Sequence, residues 1–160
     1  MSAADAPTLL GQGYHWQDLA VGQRFRSFRR TVTETDLIGF VTLTGMLEPL
    51  FIDATEAGAL GPRPIPAALT HAIIEGLVLG PMARGTGLAL LELHLRPLAP
   101  VRVGDTIGAE VTIAAIRPAS RGNRAVVESA IAVINQHGEQ VMDYTVKRLI
   151  AGRDRENGTS

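Results

Sequence analysis

Four side chains in the first half of the chain have types and spacings suited to proton chemistry: Glu48, Asp53, His71 and Glu75. Glu48 lies in the run TGMLEPLFID, residues 44–53, where a carboxylate facing a cleft can take a proton from water. His71 and Glu75 are one helical turn apart and share a stripe, the arrangement of an acid–base pair. Each has a plainer alternative. Glu48 also suits a solvated or salt-bridged loop position. His71 and Glu75 also suit a polar pair satisfied by each other inside an interface, because buried polar groups need partners. Asp53 is most simply a helix N-cap. His15, His94 and His137 show no metal-ligand spacing, so no metal and no cofactor is expected. Arg117, Arg121 and Arg124 crowd one turn, suited either to phosphates or to a solvated hairpin tip.

The elements that must position these groups follow from periodicity. Gln23–Val32 alternates as a first strand. Thr33 followed by Asp36 is a capping-box pattern, and Leu37, Ile38, Phe40 and Val41 supply the apolar face of a short helix that Gly45 can end. Asp53 with Glu56 repeats the capping pattern and predicts a second short helix over DATEAGAL. A long helix is expected from about Ala68 to Leu79, apolar on nearly every face, with Gly80–Pro81 as its stop. Alternating runs after it, separated by the turns Val103-Gly104-Asp105, Arg121-Gly122-Asn123 and His137-Gly138, predict strands. A buried helix followed by antiparallel strands implies an α+β fold, a sheet wrapped around that central helix.

The 160 residues suffice for one domain, expected over residues 13–151 between a flexible stretch 1–12 and a disordered tail 152–160. A net charge of -1 argues against nucleic acid. Cysteine is absent, which removes disulfides and thiol nucleophiles and fits a reducing cytoplasm. The stretch 65–82 is interrupted by His71, Glu75 and Pro81, so it suits a buried helix rather than a membrane span.

Several segments resemble the MaoC-like acyl dehydratases, or R-specific enoyl-CoA hydratases, in the right order. They are YHWQDLAVGQRF, RTVTETDLIGFVTLTG, RPLAPVRVGDTI and VINQHGEQV, around the run TGMLEPLFID. The family's run is Thr-Gly-Asp-x-Asn-Pro-Leu-His-x-Asp, whose Asp and His hold and deprotonate water. Here Met46 replaces that Asp, Glu48 the Asn and Phe51 the His, while Thr44, Gly45, Pro49, Leu50 and Asp53 keep the pattern. The resemblance implies a hot-dog fold and an acyl-thioester ligand, on coenzyme A or a carrier. It implies a homodimer or higher assembly, or a heteromer with an active MaoC-like chain. Met46 and Phe51 cannot activate water, so the resemblance leaves three expectations: a hydratase using Glu48 or His71 instead, a non-catalytic acyl-CoA-binding subunit, or a thioesterase using Glu75. Ala67 takes the place of the family's oxyanion-site glycine. Met46, Phe51, Ala67, Ala68 and Glu75 are the expected substrate contacts.

Overall fold

The structure is a computed structural model that describes residues 9–153. The expectations for residues 1–8 and 154–160 fall outside the described residues.

Strands β1 (Arg24–Arg26) and β2 (Arg30–Thr31) precede helix α1 (Glu34–Thr44), the single turn α2 (Pro49–Ile52) and a small hairpin of β3 (Ala57–Gly58) and β4 (Gly61–Pro62). The long helix α3 (Ala67–Ala83) follows. Strands β5 (Gly87–Pro97), β6 (Thr106–Pro118), β7 (Arg124–Ile134) and β8 (Gln140–Ala151) complete the chain. The main sheet runs β1-β6-β7-β8-β5, entirely antiparallel, with β2 also pairing β6. β5 thus crosses to the far side of β8 instead of pairing the strand next to it in sequence.

One face of the sheet packs on α3 and α1. Inward positions recur every second residue: Ile107, Ala109 and Val111 on β6, Ile131 and Val133 on β7, and Met142, Tyr144 and Val146 on β8. They meet Leu69, Ile73, Ile74 and Val78 of α3 and Leu37 and Val41 of α1 in one apolar core.

Local differences from the sequence expectations have physical causes. The strand expected over 23–32 is broken. Gly108 admits the Phe28 carbonyl and the Arg29 stem so closely that a Cβ there would lie 3.0–3.3 Å from them. The Ser27 hydroxyl takes over one ladder bond, accepting from the Ala109 amide at 2.8 Å. No helix opens at Asp53. Its carboxylate accepts from the Thr55 amide and hydroxyl, an Asx turn, and the chain goes on into β3. α3 does not stop at Gly80–Pro81 but runs to Ala83. The Gly13 and Tyr14 amides donate to the carbonyls of Arg84 and Met82 at 2.8 and 2.9 Å, so an N-terminal segment satisfies the extra turn. Nor is α3 buried all round: Ala68, Ala72, Gly76 and Leu79 form an exposed stripe. Gly152 and Arg153, expected in the disordered tail, are held by the Asn123 carbonyl and the Gln17 side chain.

The capping box at Thr33 forms as expected. The Asp36 amide donates to the Thr33 hydroxyl, and the Asp36 carboxylate accepts from the Thr33 amide at 2.8 Å. Burial alone would raise the Asp36 pKa, but bonds from Thr33 and Arg30 outweigh it and hold the carboxyl below 3.8. A lowered native pKa stabilises above the unfolded value, and the gain disappears as pH falls through the native one. Thr33→Ala should therefore cost about 1 kcal/mol in urea denaturation at pH 7. Asp36→Asn should flatten the loss of stability below about pH 4; an unchanged acid limb would refute the assignment.

Candidate functional site

The N-terminus of α3 sets the site. Pro66 precedes it with φ -55 and ψ 137, and no side chain caps it. Leu69 and Thr70 donate their amides to the Pro66 carbonyl, whereas those of Ala67 and Ala68 have no intrahelical acceptor. Two N–H groups at the positive end of a helix dipole can stabilise a developing thioester oxyanion. Ala67 is helical rather than left-handed, so alanine is unstrained where the related family carries glycine.

Beside this helix end lies a cavity of about 310 Å³, lined by Leu50, Phe51, Ile65, Ala67, Thr70 and Met142, with Leu60 from the small hairpin, Pro64 from the loop after it, Pro97 at the end of β5 and Leu98–Val101 from the turn that follows. Apart from the Thr70 hydroxyl, the side chains lining it are hydrocarbon or thioether. That composition suits an acyl chain and offers nothing to hold water.

The candidate residues divide. Phe51 and Ala67 line the cavity. Met46 is 39% exposed and lies outside its wall, as do Glu48 and Ala68. α1 ends at Gly45, whose left-handed φ of 72° turns the chain away, and Pro49 at the start of α2 aims Leu50 and Phe51 inward. Glu48 is exposed at the N-cap of α2, and its side chain makes no capping bond.

His71 and Glu75 do not satisfy each other. The Glu75 carboxylate accepts from two residues of β8: Tyr144 donates its hydroxyl at 2.7 Å, and Arg148 donates at 2.6 and 2.7 Å. The ion pair is nearly buried, at 16% and 12% side-chain exposure. Arg148 spans both Glu75 oxygens from one guanidinium nitrogen, a charge-assisted contact that leaves the carboxylate engaged away from His71. Burial first, and then Glu75, push the Tyr144 phenol far above its usual pKa, so it remains a donor. His71 stands edge-on to the Tyr144 ring at 4.9 Å, and its buried Nε2 has no partner among the described residues. Tyr144 and Arg148 were missed from the sequence. The one available signal was their even spacing on β8, which puts both on the core face.

Among the described residues no group of acidic, histidine or cysteine side chains forms a metal site, and no helix is long and apolar enough to cross a membrane.

Because Glu75 leaves a buried cation behind when removed, Glu75→Ala should cost about 3 kcal/mol or more, lowering Tm by roughly 10 °C. Adding Arg148→Met should recover much of that. Thermal unfolding of the two variants checks it, and a single variant within about 1 kcal/mol of wild type would show the pair to be ornamental.

Residues 19–144 match the family described as FAS1-like, dehydratase domain region. A 3-hydroxybutyryl-CoA dehydratase of Methylorubrum extorquens is 29% identical over 112 residues, 69% of this chain and 70% of the relative. The crystal structure of a MaoC-like dehydratase from Rhodospirillum rubrum superposes with TM-score 0.78 at 30% identity, covering 89% of this chain and 99% of that one. A Mycobacterium tuberculosis protein with a double hot-dog fold superposes with TM-score 0.79 at 18% identity, and the likeness spans 92% of this chain but 47% of that one. The architecture is therefore a hot-dog fold, equivalent here to one half of a double one. With the helix-end cavity in place and the matched region spanning most of the sequence, the chain belongs to the MaoC-like, FAS1-type dehydratase family.

Proposed function

We propose that this chain binds acyl thioesters as a member of the enoyl-CoA hydratase/dehydratase family whose own loop does not activate water. The observation that carries this is the apolar cavity beside the free amides of Ala67 and Ala68, with Phe51 in its wall. The amides receive the thioester oxygen and the cavity receives the acyl chain. Hydration further requires a base within hydrogen-bonding reach of the water that adds to the β-carbon. Glu48 faces solvent, and the Glu75 carboxylate is committed to Tyr144 and Arg148. Neither the substitute hydratase nor the thioesterase then has a free carboxylate at the cavity. The relatives named as dehydratases support the ligand class.

The single chain leaves two apolar surfaces open. β5 is an edge strand with Leu88, Leu90, Leu91 and Leu93 each 36–59% exposed, and α3 presents its Ala68–Leu79 stripe nearby. An unpaired edge flanked by leucines invites a second hot-dog unit. We assign that place to a second copy of this chain. An active MaoC-like chain seated there would add the missing water chemistry.

Saturable binding of butyryl-CoA is expected by calorimetry, weakened at least tenfold by Ala67→Trp, with no loss of enoyl absorbance from crotonyl-CoA. Turnover that collapses in Glu48→Ala would overturn the non-catalytic reading, and thiol release from butyryl-CoA would replace it with a thioesterase.

A further inference from the structure

The small hairpin beside the cavity has no core of its own. β3 and β4 pair through two residues each, Ala57 with Pro62 and Gly58 with Gly61. A two-stranded hairpin that short is not stable by itself in water. Leu60 lines the cavity yet is 53% exposed, so it stands at the rim with solvent behind it. Contacts from outside the hairpin must therefore hold it in place.

Both of its feet are tied down. Before it, the Asp53 carboxylate accepts from the Thr55 amide and hydroxyl. After it, Arg63 pairs with Glu34, and the Ile65 amide donates to the Val101 carbonyl at 2.8 Å. Between these anchors Arg102 donates its Nε to the Pro62 carbonyl at 2.9 Å and its Nη2 to the Leu60 carbonyl. Among the described residues these are the only side-chain hydrogen bonds to residues 58–62. Gly61 makes room for the guanidinium: its φ is 78°, and a Cβ there would lie 3.0 Å from Nη2.

The arginines of the β6–β7 hairpin, Arg117, Arg121 and Arg124, stand at the opposite end of the sheet from the cavity. Arg102 is half-buried, next in sequence to Val101 of the cavity wall, and springs from a rigid turn. Its own amide donates to one Asp105 carboxylate oxygen at 2.8 Å, and Gln136 donates to the other at 2.7 Å. The Gly104 amide donates to the Val32 carbonyl and the Val32 amide to the Asp105 carbonyl, both at 2.8 Å. Its guanidinium has no carboxylate partner among the described residues, so its charge is spent on the two hairpin carbonyls.

We propose that Arg102 is a positioning residue that sets the length of acyl chain the cavity takes, by clamping Leu60 and its hairpin across the rim. The inference rests on the acyl-thioester reading. If each heavy atom of a ligand takes about the room of a water, roughly 30 Å³, a cavity of about 310 Å³ holds on the order of ten of them. That is an acyl chain of about six carbons with its thioester group. A longer chain must push Leu60 outward, and the Arg102 bonds oppose it.

Chain-length profiles test this. Calorimetry with acetyl-, butyryl-, hexanoyl-, octanoyl- and decanoyl-CoA should show wild-type affinity rising about fourfold per buried methylene and levelling off near about six carbons. In Arg102→Met, which keeps the stem and removes the donors, the rise should continue, and the decanoyl-to-butyryl affinity ratio should increase at least tenfold. Arg102→Lys, with one ammonium for two carbonyls, should fall between. Amide hydrogen exchange over residues 58–61 should quicken in the same order. An unchanged ratio in Arg102→Met, with affinity kept or lost equally for every chain, would give Arg102 a purely structural role and overturn the proposal. If Arg102→Met does not fold, Leu60→Ala carries the test. With that rim side chain gone, a profile that still levels off where wild type does would overturn the proposal. Wild type that binds no acyl-CoA of any length would sink the acyl-thioester reading and the length rule together, whereas wild type that binds with an unchanged ratio in the variant sinks the clamp alone.

Discussion

Helix α3 exposes so few polar side chains that water solvates it poorly, and the sheet must therefore close over it. The inward residues of β6, β7 and β8 cover one side and α1 covers another. At the helix middle the contact is not only apolar. Glu75 reaches across to Tyr144 and Arg148, three short bonds in a nearly dry seam. Apolar packing tolerates small slides, whereas a carboxylate held at once by Arg148 and Tyr144 does not. This contact sets where α3 lies along β8, and with it where the amides of Ala67 and Ala68 meet the cavity.

The same seam settles a chemical question. A carboxylate on the central helix is a plausible base when considered by itself. Here its oxygens are engaged by Arg148 and Tyr144 in a nearly buried ion pair, and it is absent from the cavity wall. Its role in this chain is to hold the helix in place. The cavity face is accordingly hydrocarbon plus backbone amides, the combination on which the proposed acyl-thioester binding rests.

Features written in local spacing were legible in the sequence. The Thr33–Asp36 capping box, the Gly45 stop and the inward alternation of the last strands depend on neighbours within a few residues. Features decided by competition were not. Asp53 carries the same i, i+3 signature as Thr33, yet Thr55 captures its carboxylate first. Gly80–Pro81 ends most helices, but Gly13 and Tyr14 supply the donors that let this one continue. His71 and Glu75 have the spacing of a pair, but a stronger partner lies 73 residues from Glu75.

By itself the sequence determined the class of fold and the family, because these are matters of residue type, periodicity and order along the chain. Tertiary structure alone decided which candidates share a site. Folding brings Phe51 to the cavity beside Ala67, leaves Met46 and Glu48 at the surface, and ties Glu75 to β8. It also puts the arginine hairpin and the cavity at opposite ends of one sheet. Contacts of that kind depend on the direction of a side chain and the distance between strands, which residue spacing along a chain does not encode.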